Sequence, residues 1–184
     1  MRPTILLRLA FILMIAWMTV ARADTVPSRS AELRLEEDHY VLDAEFDLNL
    51  NATLEEALVR GVPLYFVVEF DLWRPRFMWF DDLIASHVIT YRVSYNALTR
   101  QYRLSTGGAF YQNLATLEEA QRQISRVRGR KVVDKAMLFK GIRYDAAVRL
   151  RLDTTQLPKP FQISALTSRD WNLASDWVRW GFTP

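Results

Sequence analysis

The chain has 184 residues, no cysteine and a formal net charge of +3 at pH 7. The length suits one domain with a hydrophobic core, and the lack of cysteine excludes disulfides, thiol acylation and thiolate metal sites. Arg2, Arg8 and Arg22 account for the whole positive excess, so residues 24–184 are formally neutral. A neutral domain lacks the field that attracts nucleic acid, and no nucleic-acid partner is predicted.

The N-terminus has the pattern of a cleavable export signal. Arg2 and Arg8 accompany an apolar run over residues 9–20, and Ala21-Arg22-Ala23 supplies small residues for cleavage. About 12 apolar residues are too few to span a bilayer as a helix. We predict a signal peptide over residues 1–23, a single domain over residues 24–184, and a periplasmic product without stable membrane insertion.

Alternating apolar and polar residues dominate the predicted domain. This pattern is typical of antiparallel strands with one buried face. It covers residues 40–50, 64–72, 89–95 and 144–152. Two shorter strands are predicted over residues 32–35 and 101–104, and the second should pair with residues 89–95 across a turn at Asn96 to Thr99.

The hexamer Ala-Thr-Leu-Glu-Glu-Ala occurs twice, at residues 52–57 and 115–120. In each copy the threonine and the second glutamate fit a capping box, so a helix should begin there. The first helix is expected to end at Gly61 and the second near Val127, before a turn at residues 128–130. The repeat indicates either a duplicated unit or the same capping chemistry used twice.

A third helix is predicted near the C-terminus, beginning around residues 168–170. Trp171, Trp177 and Val178 follow at helical spacing. The two prolines of residues 157–160 predict an extended loop before it. These elements predict an α+β domain, with an antiparallel sheet of about six or seven strands, flat or curled into a sandwich, covered by two or three helices.

The segment over residues 73–82 is the leading candidate for a binding surface. Its candidate residues are Trp73, Arg74, Arg76, Phe77 and Trp79. Trp and Arg dominate binding hot spots, and the proline and charges of this segment make complete burial unfavourable. Alternatively, the aromatic rings cover the sheet while the arginines stack on them or pair with Asp81 and Asp82.

A basic block over residues 122–143 is the second candidate. It holds eight basic residues and one acid, Asp134. Its candidate contacts are Arg126, Arg128, Arg130 and Lys131. Such a block contacts an anionic glycan, lipid headgroups or an acidic partner, or it is simply a solvated face.

Charge is also uneven along the whole domain. Residues 24–85 hold 14 acids and 5 bases, whereas residues 86–184 hold 7 acids and 16 bases. Either distant strands interleave and the charges mingle, or the molecule has separate acidic and basic faces that steer a charged partner.

No sequence motif indicates catalysis or metal binding. His39 and His87 are the only histidines, the carboxylates lack calcium-loop spacing, and no Gly-x-Ser-x-Gly motif occurs. We predict no catalytic residue, no metal site, no cofactor and no enzymatic activity. The alternative is a hydrolase acting on an envelope polymer, because a carboxylate pair can come from any two strands.

Three segments resemble an uncharacterised proteobacterial family of exported proteins. They are residues 61–64, 91–104 and 171–177, and the resemblance extends over essentially all of residues 24–184. It implies genes encoded near a nitrogen-regulation-type sensor kinase, and assigns no functional residue. We therefore expect an exported binding or interaction module of unknown ligand, whose partner is an envelope protein or the periplasmic region of a sensor kinase. Its oligomeric state is left open.

Overall fold

The computed structural model describes residues 25–26, 28–78, 80–108 and 110–184. The predicted signal peptide over residues 1–23 lies outside the described residues. The strands are β1 (Thr25–Val26), β2 (Ser28–Glu36), β3 (His39–Phe46), β4 (Leu64–Arg74), β5 (Asp82–Asn96), β6 (Gln101–Thr106), β7 (Gln112–Leu114), β8 (Arg126–Asp134), β9 (Tyr144–Leu152), β10 (Ala174–Ser175) and β11 (Val178–Phe182). The α-helices are α1 (Ala52–Val59), α2 (Leu117–Ile124) and α3 (Lys159–Thr167).

The strands form two sheets, and the α+β prediction is confirmed. The larger sheet has the order β1-β10-β9-β4-β5-β6-β7, and β11 also pairs with β9. Every pair in it is antiparallel except β1 with β10. The smaller sheet is antiparallel in the order β2-β3-β8. The predicted pairing of residues 101–104 with residues 89–95 is present between β5 and β6.

The hydrophobic core lies between the two sheets. Alternate residues of β4 from Leu64 to Leu72 are buried, and they share one cluster with Leu42 and Ala44 of β3. The rings of Tyr40 and Phe182 meet edge to face, with centroids 5.0 Å apart, and so join β3 to β11. Period-two patterning therefore produces a sandwich, because each sheet has one apolar face to bury.

The two predicted capping boxes have different outcomes. At α1 the predicted Thr53 box is wrong, because Asn51 is the cap: its Oδ1 accepts from the Leu54 N–H at 3.0 Å. Asn51 is held in place by donating to the Asp170 carbonyl at 2.8 Å, and helix α1 therefore begins one residue before Thr53. At α2 the predicted cap, Thr116, accepts from the Glu119 N–H at 3.3 Å.

Three local predictions after α2 are wrong. Residues 128–130 do not form a turn but lie inside β8, where Gly129 takes φ +58° at an irregularity in the pairing with β3. The C-terminal helix is replaced by a 3₁₀ turn over Arg169–Trp171, followed by β10 and β11. Residues 157–160 are not a simple loop, because α3 begins at Lys159, and proline is tolerated in a first helical turn.

Ion pairs join the acidic first half of the domain to the basic second half. Glu69 of β4 binds Arg149 and Arg151 of β9, and Glu45 of β3 lies beside Arg126 and Arg128 of β8. The oppositely charged halves are neighbours because their strands interleave. The charges mingle at these contacts, as the first of the two interpretations predicts.

Asp43 is a buried acid that stabilises the smaller sheet. It accepts hydrogen bonds from the Gly129 N–H at 2.7 Å and from the Arg34 Nε at 2.9 Å. Burial alone raises the pKa of Asp43, but these two donors outweigh burial and hold the pKa below its ordinary value. Its charged form therefore contributes stability above the unfolded-state pKa of about 3.9, and this contribution is lost as pH falls through the folded pKa.

Replacing Asp43 with Ala should lower the free energy of unfolding at pH 7 by about 1–3 kcal/mol, because it removes the charged acceptor of two half-buried hydrogen bonds. The difference from wild type should shrink below about pH 4. Denaturant unfolding between pH 3 and pH 7 measures both effects. The control is Glu32→Ala, at the exposed residue opposite Asp43 on β2. Equal losses in both variants, or a loss independent of pH, would contradict this role.

Candidate functional site

The hairpin of β4 and β5 projects beyond β6, the strand beside β5. β5 has 15 residues, but β6 pairs with it only from Tyr91 to Asn96. Among the described residues, no strand pairs with Asp82–Thr90 on the side away from β4. Residues 82–90 of β5 therefore form an edge of the sheet, whereas β9 accompanies β4 as far as Trp73. The loop that joins β4 to β5 lies at the end of this edge.

Large apolar side chains occupy the tip of this hairpin. Phe77 is 96%, Met78 83% and Phe80 98% exposed. Of the predicted binding residues, Phe77 thus faces solvent, and Trp79 lies outside the described residues. A cluster of exposed apolar residues on a soluble surface is typical of an interaction site.

Both arginines of the predicted surface are bound to one carboxylate. Arg74 Nη2 lies 2.7 Å from Asp82 Oδ2, and Arg76 contacts the same oxygen. The hydrogen bond from Arg74, with a further contribution from Arg76, holds the pKa of Asp82 below its ordinary value. Asp81 accepts from the Arg76 N–H at 3.3 Å. The arginines therefore fix the shape of the loop, while its apolar side chains remain exposed.

A cavity of about 660 Å³ lies behind the hairpin tip. Its walls include Trp73, Phe80 and Trp180, together with Arg143 and Asp145. Trp73 is half-buried at the end of β4. The fold thus brings Arg143, the last residue of the basic block, to the aromatic hairpin, which sequence separation alone does not reveal.

The rest of the basic block lies elsewhere, on β8. Arg126 and Arg128 pair with Glu45 at 3.6 and 3.2 Å, and Arg130 and Lys131 are exposed. Within the described chain, β8 is an edge strand of its sheet. Basic side chains on an edge strand discourage pairing with another strand. The structure therefore separates the two groups of predicted binding residues instead of joining them in one site.

Neither the acidic and histidine side chains nor the helices of the described residues indicate a metal site or a membrane-spanning segment. No group of three His, Asp or Glu side chains there is arranged to hold a metal ion. His39 pairs with Asp134 at 3.0 Å, and His87 is exposed on the projecting part of β5. Every helix in this part of the chain is too short or too polar to span a membrane.

One family model matches almost the entire domain, over residues 23–181. It describes a domain of unknown function, DUF4390. The chain belongs to this family. No curated protein and no solved structure matches the chain. The match confirms that the chain belongs to an uncharacterised domain family, as the resemblance predicts. The family description assigns no function to this DUF4390 domain.

The double variant Phe77→Ser, Phe80→Ser should change the free energy of unfolding of the DUF4390 domain by less than about 0.5 kcal/mol, because neither ring is packed. Chemical denaturation measures this, and Phe70→Ala is the matched control. Phe70 is buried in the core, and its truncation should destabilise by about 3–5 kcal/mol. A loss above about 2 kcal/mol in the double variant would mean that the hairpin tip is packed.

Proposed function

We propose that this chain is an exported periplasmic interaction module that binds an envelope protein through the β4–β5 hairpin. The observation that carries the proposal is the exposure of Phe77, Met78 and Phe80 at the tip of a projecting loop. Aromatic and Met side chains are enriched at the centres of protein interfaces. The arginine pairs with Asp82 hold this loop in one shape, which lowers the entropy lost on binding.

The edge of β5 supports the same proposal. Charged residues and proline normally protect a strand edge. Residues 83–90 contain neither. A bulge in β5, opposite Leu72 and Trp73 of β4, places Leu83 opposite Trp73, whereas Val88 lies opposite Glu69. Leu83 and Val88 therefore share one face, and both are more than half exposed. A partner strand could add to this edge by main-chain hydrogen bonds while contacting that face.

Charge around the hairpin favours a protein partner over a lipid surface. Binding to anionic lipid requires clustered basic residues. Here Asp81, Asp82 and Asp145 lie among the arginines of the tip and cavity. Such a mixture of charges is typical of the rim of a protein interface.

The proposed location and partner rest on the N-terminus and the family resemblance. The pattern of residues 1–23 supports export to the periplasm. The resemblance to a proteobacterial family implies genes near a nitrogen-regulation-type sensor kinase, and we propose the periplasmic region of such a kinase as the partner.

A hydrolase is the second candidate. Asp81 and Asp145 line the same cavity behind the hairpin, as a carboxylate pair would. Each already accepts a hydrogen bond, Asp81 from the Arg76 N–H and Asp145 from Arg143 Nε. Release of reducing ends from an envelope polysaccharide, abolished by Asp145→Asn, would favour this candidate over the interaction module.

The binding proposal is tested with the purified periplasmic region of the sensor kinase proposed as the partner. The double variant Phe77→Ser, Phe80→Ser should weaken binding at least about tenfold, because it removes two rings from the centre of the interface. Calorimetry measures the affinity. Leu98→Ser, at another fully exposed apolar residue on the β5–β6 turn, is the control and should bind normally.

Two outcomes would contradict the proposal. One is equal binding by wild type, the double variant and Leu98→Ser. The other is recovery of the mature product from the cytosol instead of the periplasm.

A further inference from the structure

A second cavity lies away from the hairpin tip, where α2 and the start of β8 meet β5, β6 and β7. Its volume is about 780 Å³, within the range of small-molecule sites. The lining residues are Tyr91, Leu104, Thr106, Gln112, Asn113, Leu114, Glu119, Arg122, Gln123 and Arg126. This set combines cationic, amide, hydroxyl and apolar groups.

The charged groups of this cavity favour an anion. Arg122 and Arg126 line it, and Glu119 is the one acidic residue among the described lining residues. Glu119 is engaged already, because its Oε2 accepts from the Ala115 N–H at 3.0 Å. Arg126 lies 3.6 Å from Glu45 and is more than half exposed. Two guanidinium groups on one wall suit a carboxylate, which arginine binds with two parallel hydrogen bonds.

Tyr91 supplies a second, independent observation. Its side chain is only 8% exposed, and its hydroxyl makes no hydrogen bond to any of the described residues. Burial raises the pKa of Tyr91, so the hydroxyl keeps its proton. Tyr91 lines the cavity, and its hydroxyl is not among the buried polar atoms that lack a partner. The hydroxyl is therefore accessible from the cavity and free to bond to a ligand there.

The neutral groups indicate the rest of the ligand. Gln112, Asn113 and Gln123 offer amide donors and acceptors, and Thr106 adds a hydroxyl. Leu104 and Leu114 provide apolar surface for the C–H groups of a ring. Amides beside apolar surface complement a molecule with several hydroxyls, and the volume exceeds what a phosphate ion requires.

We propose that this cavity binds an acidic saccharide, with its carboxylate on Arg122 and Arg126 and its hydroxyls on Tyr91 and the amide side chains. This site is separate from the hairpin and does not depend on the proposed protein partner. It accounts for one predicted contact of the basic block, Arg126, as a ligand-binding residue.

The ligand class is tested by calorimetry on the full mature chain, with digalacturonate as the probe. Cellobiose, a neutral disaccharide, and inorganic phosphate are the comparisons. We expect digalacturonate to bind at least about tenfold more tightly than either comparison. Equal binding of cellobiose would overturn the role of charge, and equal binding of phosphate would reduce the site to a simple anion site. No binding of digalacturonate would overturn the proposal.

The binding residues are tested with matched variants. Arg126→Gln should weaken digalacturonate binding about tenfold, whereas Arg128→Gln should leave it unchanged. Both arginines pair with Glu45, but only Arg126 lines the cavity. Tyr91→Phe should weaken binding about three- to tenfold without lowering the midpoint of thermal unfolding, because its hydroxyl has no partner in the protein.

Equal effects of Arg126→Gln and Arg128→Gln would contradict the proposal, and so would an unchanged affinity in Tyr91→Phe. The hairpin variant Phe77→Ser, Phe80→Ser should bind digalacturonate normally. Loss of one binding activity without the other therefore distinguishes a failure of this site from a failure of the hairpin interface.

Discussion

The architecture depends on β4, which has strand neighbours on both sides over most of its length. β9 pairs with residues 66–73, and β5 pairs with residues 64–74. One face of β4 is buried in the core. The same buried side chains fix the register of both neighbouring strands, β5 and β9. β4 and β5 then continue past the end of β6. The uncovered edge of β5 is thus a direct consequence of the short length of β6.

Ion pairs join β4 and β9 on the opposite face of the sheet. Glu69 on β4 accepts from Arg149 and Arg151 on β9, and Arg149 also lies 4.5 Å from the ring of Trp177. Burial raises the pKa of Glu69, but the two arginines outweigh it and keep the pKa below its ordinary value. Such half-buried pairs contribute modestly to stability. The clearer effect of these pairs is to neutralise the acidic and basic strands where the strands meet. The hairpin tip, by contrast, exposes apolar side chains.

Patterning predicted the strands whose burial is one-sided, such as residues 64–72 and 144–152, because alternation is a local property. It failed at residues 171–178, where pairing with β9 overrides helical spacing. The candidate sites were predicted in part. The hairpin segment was found by composition, but its exposure depends on where β6 ends. Alternation over residues 89–95 predicts a buried face that includes Tyr91, but nothing in this strand indicates that the Tyr91 hydroxyl borders a cavity.

Residue-resolved amide hydrogen exchange of the purified protein tests the projecting hairpin most directly. In β5, the N–H groups over residues 82–90 that face away from β4 should exchange rapidly, while their neighbours that bond to β4 are protected. Residues 91–93 pair with strands on both sides and should be protected throughout. Uniform protection from residue 82 to residue 93 would show that another segment covers this edge, and it would contradict the account.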